Sequence, residues 1–252
     1  MMILTKARRK IAKMVGGASA FEASPVRDNS LDSPLWNVSG MGDAFELKWN
    51  GIPCVFTLST GRVGTMTLAA MLRSSQTVQA VHEPFPRLLR LAYLAFMEDP
   101  GQTRDPDRWQ MAVDTARSEM IWGAYRNGKI HFETSNRVTF LAPTLARLYP
   151  GSKFIFLHRD PLAIIRSGIA RGWYAGNSWD WARITPRPDD PSHQLWPSMS
   201  QSEKIAWYWA VTNAYCLAFV EKISPERCLV VRSELFLVVE SKKSPNCFTS
   251  WG

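Results

Sequence analysis

Apolar positions along this chain change their period repeatedly, and each change marks an element. The apolar run Ile52–Phe56 suits a strand covered on both faces, so residues 46–58 are predicted as the first strand. Thr65–Ser74 follows as a helix with Leu68, Met71 and Leu72 on one face. Thr77–His82 alternates and is β-branched, which predicts a second strand. Helices are expected over Phe85–Met97 and Pro106–Arg126, and a short strand over Lys129–Phe132. Val138–Tyr149 reads as a helix closed by Pro150-Gly151. A strand over Phe154–His158 and a helix over Leu162–Arg171 come next. Residues 172–200, rich in Trp, Pro, Asp and Ser, form a long loop. Ser202–Ile223 is a strong helix and Cys228–Arg232 a last strand.

Strands alternating with helices imply the α/β class: three layers, a mainly parallel central sheet and helices on both faces. No internal repeat and no inner domain boundary is visible. Residues 46–240 read as one α/β domain, residues 1–45 as an irregular N-terminal arm and 241–252 as a C-terminal tail, expected to be truncated. In such sheets ligands bind at the carboxyl ends of the strands. Polar groups at four expected strand ends, around Arg62, Glu83, Glu133 and Arg159, therefore point to one crevice.

The chemistry concentrates in the loop after the first strand, Thr57-Leu58-Ser59-Thr60-Gly61-Arg62-Val63-Gly64-Thr65-Met66-Thr67. A strand breaking into a glycine-containing loop that opens a helix is a layout for binding phosphate. The loop lacks the lysine that follows the last glycine in a Walker A motif: Thr65 follows Gly64, and the nearby cation is Arg62. A planar guanidinium suits a pair of phosphate or sulfonate oxygens.

A net charge of +8 agrees with an anionic partner. The basic residues are scattered except near the N-terminus, so a nucleotide cosubstrate is preferred to nucleic acid. Hydrophobic content of 46% and charged content of 21% are globular values. Cys54, Cys216, Cys228 and Cys247 have no metal-site or disulfide-framework spacing, and no metal is expected. With no apolar run of membrane-spanning length and no secretory signal pattern, a soluble cytoplasmic protein without stable membrane insertion is the expectation.

Arg62-Val63-Gly64-Thr65-Met66-Thr67 resembles the first signature of the sulfotransferases that use 3′-phosphoadenosine 5′-phosphosulfate (PAPS). It departs at Val63, where serine is more usual, and at Met66, where a hydroxyl residue is common. The second signature is similar to Lys153-Phe154-Ile155-Phe156-Leu157-His158-Arg159-Asp160-Pro161, with Ser167 eight residues after Arg159. The resemblance spans about residues 52–235 and implies a P-loop NTPase-like sulfotransferase fold. It implies that Arg62, Val63, Gly64, Thr65, Met66 and Thr67 hold the 5′-phosphosulfate and that Arg159 and Ser167 hold the 3′-phosphate. Arg232-Ser233-Glu234-Leu235 partly resembles a later family segment.

Sulfuryl transfer to a hydroxyl needs a group to accept the hydroxyl proton. Val81-His82-Glu83-Pro84-Phe85 ends the second strand, and Glu83 lies 21 residues after Arg62. A glutamate near this place, often followed by proline, is the base in the carbohydrate and tyrosine branch of the superfamily. Glu83 is thus the expected base, with His82 kept open, and Arg62 the expected stabiliser of charge on the leaving group. Glu133 is left open as a lining of the acceptor pocket; Ser135 or Asn136 would serve as a helix cap before Val138, and Asn136 is favoured. Trp173, Trp179 and Trp181 are pocket or lid candidates, whereas Trp207 and Tyr208 read as core. The acceptor is a small-molecule or glycan hydroxyl of unspecified kind, and the oligomeric state is not readable. Two alternatives stand: a non-catalytic nucleotide-binding protein of the same fold, and a P-loop small-molecule kinase.

Overall fold

The structure is a computed structural model that describes residues 49–98 and 106–237. The expected arm over 1–45 and tail over 241–252 lie outside the described residues. Among the described residues five strands form one sheet: β1 (Cys54–Leu58), β2 (Val78–His82), β3 (Ile130–Thr134), β4 (Lys153–His158) and β5 (Cys228–Arg232). Their spatial order is β2-β3-β1-β4-β5 and every pairing is parallel. The connecting helices are α1 (Thr65–Leu72), α2 (Leu89–Met97), α3 (Pro106–Arg126), α4 (Ala142–Leu148), α5 (Pro161–Ala170) and α6 (Gln201–Lys222). A short α7 (Glu234–Leu237) follows β5. This is the expected α/β class with a P-loop-like central sheet.

All five residues of β1 and of β3 are buried, so both faces of the sheet are covered. That is why β1 reads as an unbroken apolar run rather than an alternating one. Right-handed crossovers explain how the cover is divided. The chain steps from β1 outward to β2 and then reverses through β3 to β4 and β5, so α1 lies on the face opposite α3 and α4. The reversal makes β1 the switch point, and its carboxyl end opens between β3 and β4, where α/β sheets place their ligands. On one face, Phe56 packs near Tyr149 and Phe154, with ring centroids 5.8 and 6.1 Å away.

Several element limits differ from the sequence reading. β1 starts at Cys54, not 46, since Asn50 and Gly51 make a turn. The segment before Leu89 is not helical, because it carries Pro84 and Pro86, which lack the N–H groups a helix needs. Residues Asn136–Leu141 form a 3-10 helix ahead of α4, so the expected single helix is two elements. Ser135, not Asn136, is the cap: its side chain accepts from the Arg137 N–H.

The role of Glu133, open in the sequence, is decided here. Glu133 is fully buried in β3 and lines no opening toward an acceptor. Arg117 of α3 grips it at both oxygens, Nε to Oε2 at 2.6 Å and Nη2 to Oε1 at 3.0 Å. His131 Nε2 lies 3.7 Å from Oε2. Burial pushes the Glu133 carboxyl up, but His131 and Arg117 outweigh burial and hold it below the ordinary glutamate value. Arg117 Nη1 also donates to the Pro86 carbonyl at 2.9 Å, tying the segment after β2 to this buried pair.

Removing one partner leaves the other charge buried and alone. Glu133→Gln is expected to cost about 3–5 kcal/mol in urea denaturation at neutral pH. A carboxyl with a lowered pKa gives its full stabilisation above the ordinary glutamate value and loses it as pH falls through the lowered one. The variant should therefore show a shallower loss of stability in acid than the parent protein. A loss under about 1 kcal/mol would mean that the pair does not carry this load.

Candidate active site

β1 delivers the loop to the sheet edge, and the inner half of the loop is pinned from behind. Ser59 N donates to Thr139 Oγ1 at 3.0 Å, and Thr139 Oγ1 donates back to the Ser59 carbonyl at 3.0 Å. Gly61 N donates to Ser59 Oγ at 3.2 Å. Tyr208 of α6 donates its hydroxyl to the Thr60 carbonyl at 3.0 Å. At Gly61, φ is +76° and a Cβ would sit 3.1 Å from Asn136 Nδ2, so both conformation and space favour glycine. Arg62 follows with φ +58°, a left-handed residue that carries a Cβ. Such a residue costs about 1–3 kcal/mol unless its surroundings hold it.

Gly64 is the N-cap of α1 at φ +85° and provides no capping side chain. The first intrahelical bond runs from Leu68 N to the Gly64 carbonyl. A helix start leaves its first amide groups turned outward with a partial positive charge, as an anion requires. Val63 points its side chain into the core, so it can offer an incoming anion only backbone. Thr65 is buried, Thr67 half-buried and Met66 64% exposed.

The two separated signatures meet here. Arg159 leaves the end of β4, and its Nη1 donates to the Arg62 carbonyl at 2.8 Å. Arg62 Nε donates to Ser167 Oγ on α5 at 2.9 Å. Asp160 caps α5 through the Ala163 N–H, with Pro161 at the first helical position as its fixed φ favours. Trp209 Nε1 donates to the Arg159 carbonyl at 3.0 Å. Behind them, Glu234 Oε1 accepts from the Asp160 N–H at 2.8 Å and Ser233 N donates to the His158 carbonyl at 2.9 Å. The late Arg232–Leu235 segment thus braces the turn that carries Arg159.

The crevice is electropositive. Burial lowers the Arg62 pKa from the ordinary arginine value, Arg171 and Arg159 lower it further, and Glu83 pulls it back up. Like charges in one place are a standing demand for an anion. Glu83 stands beside them, half-buried after β2, with φ +43°. Its neighbour His82 donates Nδ1–H to the Thr134 carbonyl at 2.7 Å, which leaves Nε2 as its acceptor nitrogen. All the residues read from the sequence as nucleotide-holding thus come from segments bordering one crevice.

Other participants were not read from the sequence. Arg171 had a signal available, since it lies four residues beyond Ser167 and so one helical turn along the same face. Glu234 had its place in the late segment that partly resembles the family; Thr139 and Tyr208 had no signal, because each reaches the loop from a distant element. Of the tryptophan candidates, Trp173 is buried against Tyr208 rather than lining an opening. Trp181 is exposed, and the side chain of Trp179 is outside the described residues. No group of three or more His, Cys, Asp or Glu among the described residues is placed to hold a metal ion. No helix among them is long and apolar enough to cross a membrane.

No curated protein matches the chain. Solved structures do. A sulfotransferase domain from the curacin biosynthetic pathway shares 19% identity over 75% of this chain and 70% of its own, with a TM-score of 0.43. The sulfotransferase domain of the Synechococcus PCC 7002 olefin synthase shares 17% over 75% and 69%, with a TM-score of 0.44. A sulfotransferase from Alicyclobacillus acidocaldarius shares 16% over 75% and 76%, with a TM-score of 0.43. The sequence pattern of the sulfotransferase family matches residues 53–237, which takes in the anion loop, Glu83, the Arg159 turn and its brace, and the chain belongs to that family.

Proposed function

We propose that this protein moves a sulfuryl group from PAPS to an acceptor hydroxyl, as a cytoplasmic enzyme that needs no metal. The observation that carries the reading is the coupling of Arg62 to both Ser167 and Arg159. A donor with phosphate at one end and phosphosulfate at the other needs cationic groups on two segments within one crevice, and this coupling supplies them.

The 5′-phosphosulfate would lie on the loop, on the backbone of Val63, Gly64, Thr65, Met66 and Thr67, with Arg62 beside it. Arg159 and Ser167 would hold the 3′-phosphate. The acceptor oxygen attacks sulfur in line as the bond from sulfur to the bridging phosphate oxygen breaks. Glu83 takes the acceptor proton, and adenosine 3′,5′-bisphosphate leaves with the electron pair of the broken bond. Arg62 and the α1 N-terminus stabilise the charge that develops on that departing oxygen. Glu83 is the preferred base on the family resemblance, and His82, whose Nδ1–H donates to the Thr134 carbonyl and so leaves Nε2 as the acceptor nitrogen, is the alternative.

Calorimetric titration with adenosine 3′,5′-bisphosphate tests the donor site. The parent protein should bind, and Arg159→Ala should bind at least tenfold more weakly, about 1.4 kcal/mol or more. Equal binding by the two, or none by either, would remove the assignment. Radiolabelled sulfuryl transfer across acceptor classes tests the chemistry. Arg62→Ala should lose about 2–4 kcal/mol of barrier stabilisation. Glu83→Gln should lose turnover while keeping bisphosphate affinity. A protein that binds the bisphosphate tightly, yet turns over no acceptor and is indifferent to Glu83→Gln, would be a nucleotide-binding relative without chemistry.

A further inference from the structure

Arg159 and Ser167 alone match the charge of a 3′-phosphate only in part. A phosphate monoester carries close to two negative charges at neutral pH and offers three strong acceptor oxygens. Arg62 and the α1 N-terminus serve the other end of the donor, and Ser167 is uncharged. Arg159 is then the one full charge opposite the monoester.

A further cation stands close by. α5 ends at Ala170, and Arg171 is its C-cap, four residues past Ser167 and so one turn along the same face. One turn rises about 5.4 Å, a distance that an arginine side chain spans. The Ser167 hydroxyl on that face is the group that Arg62 Nε reaches at 2.9 Å. The Arg171 charge also lowers the Arg62 pKa more than the Arg159 charge does, although Arg159 bonds the Arg62 carbonyl. Coulomb interactions fall with distance, so the Arg171 guanidinium belongs to the same cluster.

The backbone under Arg171 is held firmly. Its N–H donates to the Gly168 carbonyl at 3.1 Å, and Trp173 N donates to the same oxygen at 3.0 Å. A Cβ on Gly168 would sit 2.9 Å from Trp173 Cε3, so the helix end and the buried tryptophan are in close contact. Arg171 itself is exposed, and among the described residues no carboxylate pairs with it. A fixed stem with an uncommitted guanidinium suits recognition of an anion, because little order has to be imposed on binding.

We propose that Arg171 holds the 3′-phosphate of the donor together with Arg159 and Ser167, and so sets the preference for a nucleotide phosphorylated at the 3′ position. The inference rests on the donor reading given above and adds a residue to it. Arg171 binds the phosphate, and no bond to that phosphate changes in the reaction.

The test measures dissociation constants for adenosine 3′,5′-bisphosphate, its 2′,5′ isomer and adenosine 5′-phosphate by calorimetry on the full chain. Parent, Arg171→Gln, Arg171→Lys and Arg159→Ala are compared, and thermal melts check that each variant folds. A cation at a helix C-terminus also favours the helix dipole, but that effect moves the melt and not the ranking of ligands. The parent should bind the 3′,5′-bisphosphate more tightly than both other nucleotides. Arg171→Gln should weaken the 3′,5′-bisphosphate about tenfold, the value of one charged hydrogen bond, and change adenosine 5′-phosphate less than about twofold. Arg171→Lys should recover part of the loss, since it keeps the charge and gives up the fork of donors. An unchanged ranking in Arg171→Gln, or an equal loss for all three nucleotides, would overturn the proposal. If Arg159→Ala loses the 3′ preference while Arg171→Gln keeps it, the donor reading stands and this inference alone falls. A parent that binds none of the three, or ranks them equally, would remove both.

Discussion

The hydrogen bond from the Arg159 guanidinium to the Arg62 carbonyl is the contact on which the site depends. Arg62 follows β1 and Arg159 follows β4, neighbours at the switch point of the sheet. Only a parallel β1–β4 pair sends both chain ends to the same edge. Arg62 is held in a left-handed conformation, and its side chain is fixed by Ser167. Like charges left without such a framework would separate. Here the backbone carbonyl and the serine hydroxyl take up donors that would otherwise face one another, and the cluster stays together ready for an anion.

The rest of the architecture supplies rigidity to that cluster. α6 reaches the loop through Tyr208 and the Arg159 turn through Trp209. The 3-10 helix holds Ser59 through Thr139. On the other side, the buried Arg117–Glu133 pair anchors the carbonyl of Pro86, three residues beyond Glu83. A buried ion pair adds little net stability compared with apolar residues of the same size. Its evident effect here is to fix where the segment carrying Glu83 stands. Brace, loop and the segment carrying Glu83 thus form one preorganised frame.

Much of the fold was legible before any coordinates. Apolar runs at 52–56 and 154–158 located the two central strands, because strands covered on both faces have no polar side to alternate. The ends of α3 and of β5 fell where the sequence placed them. The boundaries misread were those set by backbone donors rather than by periodicity: the stretch before Leu89, broken by Pro84 and Pro86, and the 3-10 turn before α4. Glu133 was left open for another reason. A carboxylate near a strand end looks the same in sequence whether it faces a crevice or a buried arginine sixteen residues earlier in the chain.

The chain alone determined the parts that are local in sequence. These are the glycine loop between strand and helix, the Asp160-Pro161 helix start, the placing of Arg62, Glu83 and Arg159 just beyond strand ends, and that of Ser167 on the helix that follows Arg159. Each follows from steric and hydrogen-bonding preferences acting over a few residues. Tertiary structure decided the rest. It chose the strand order that brings 62 beside 159, the burial of Glu133 on Arg117, and the Tyr208 and Thr139 struts. These depend on which distant groups share one space once the core has closed, and burial alone sets whether a charge there finds water, a partner or neither.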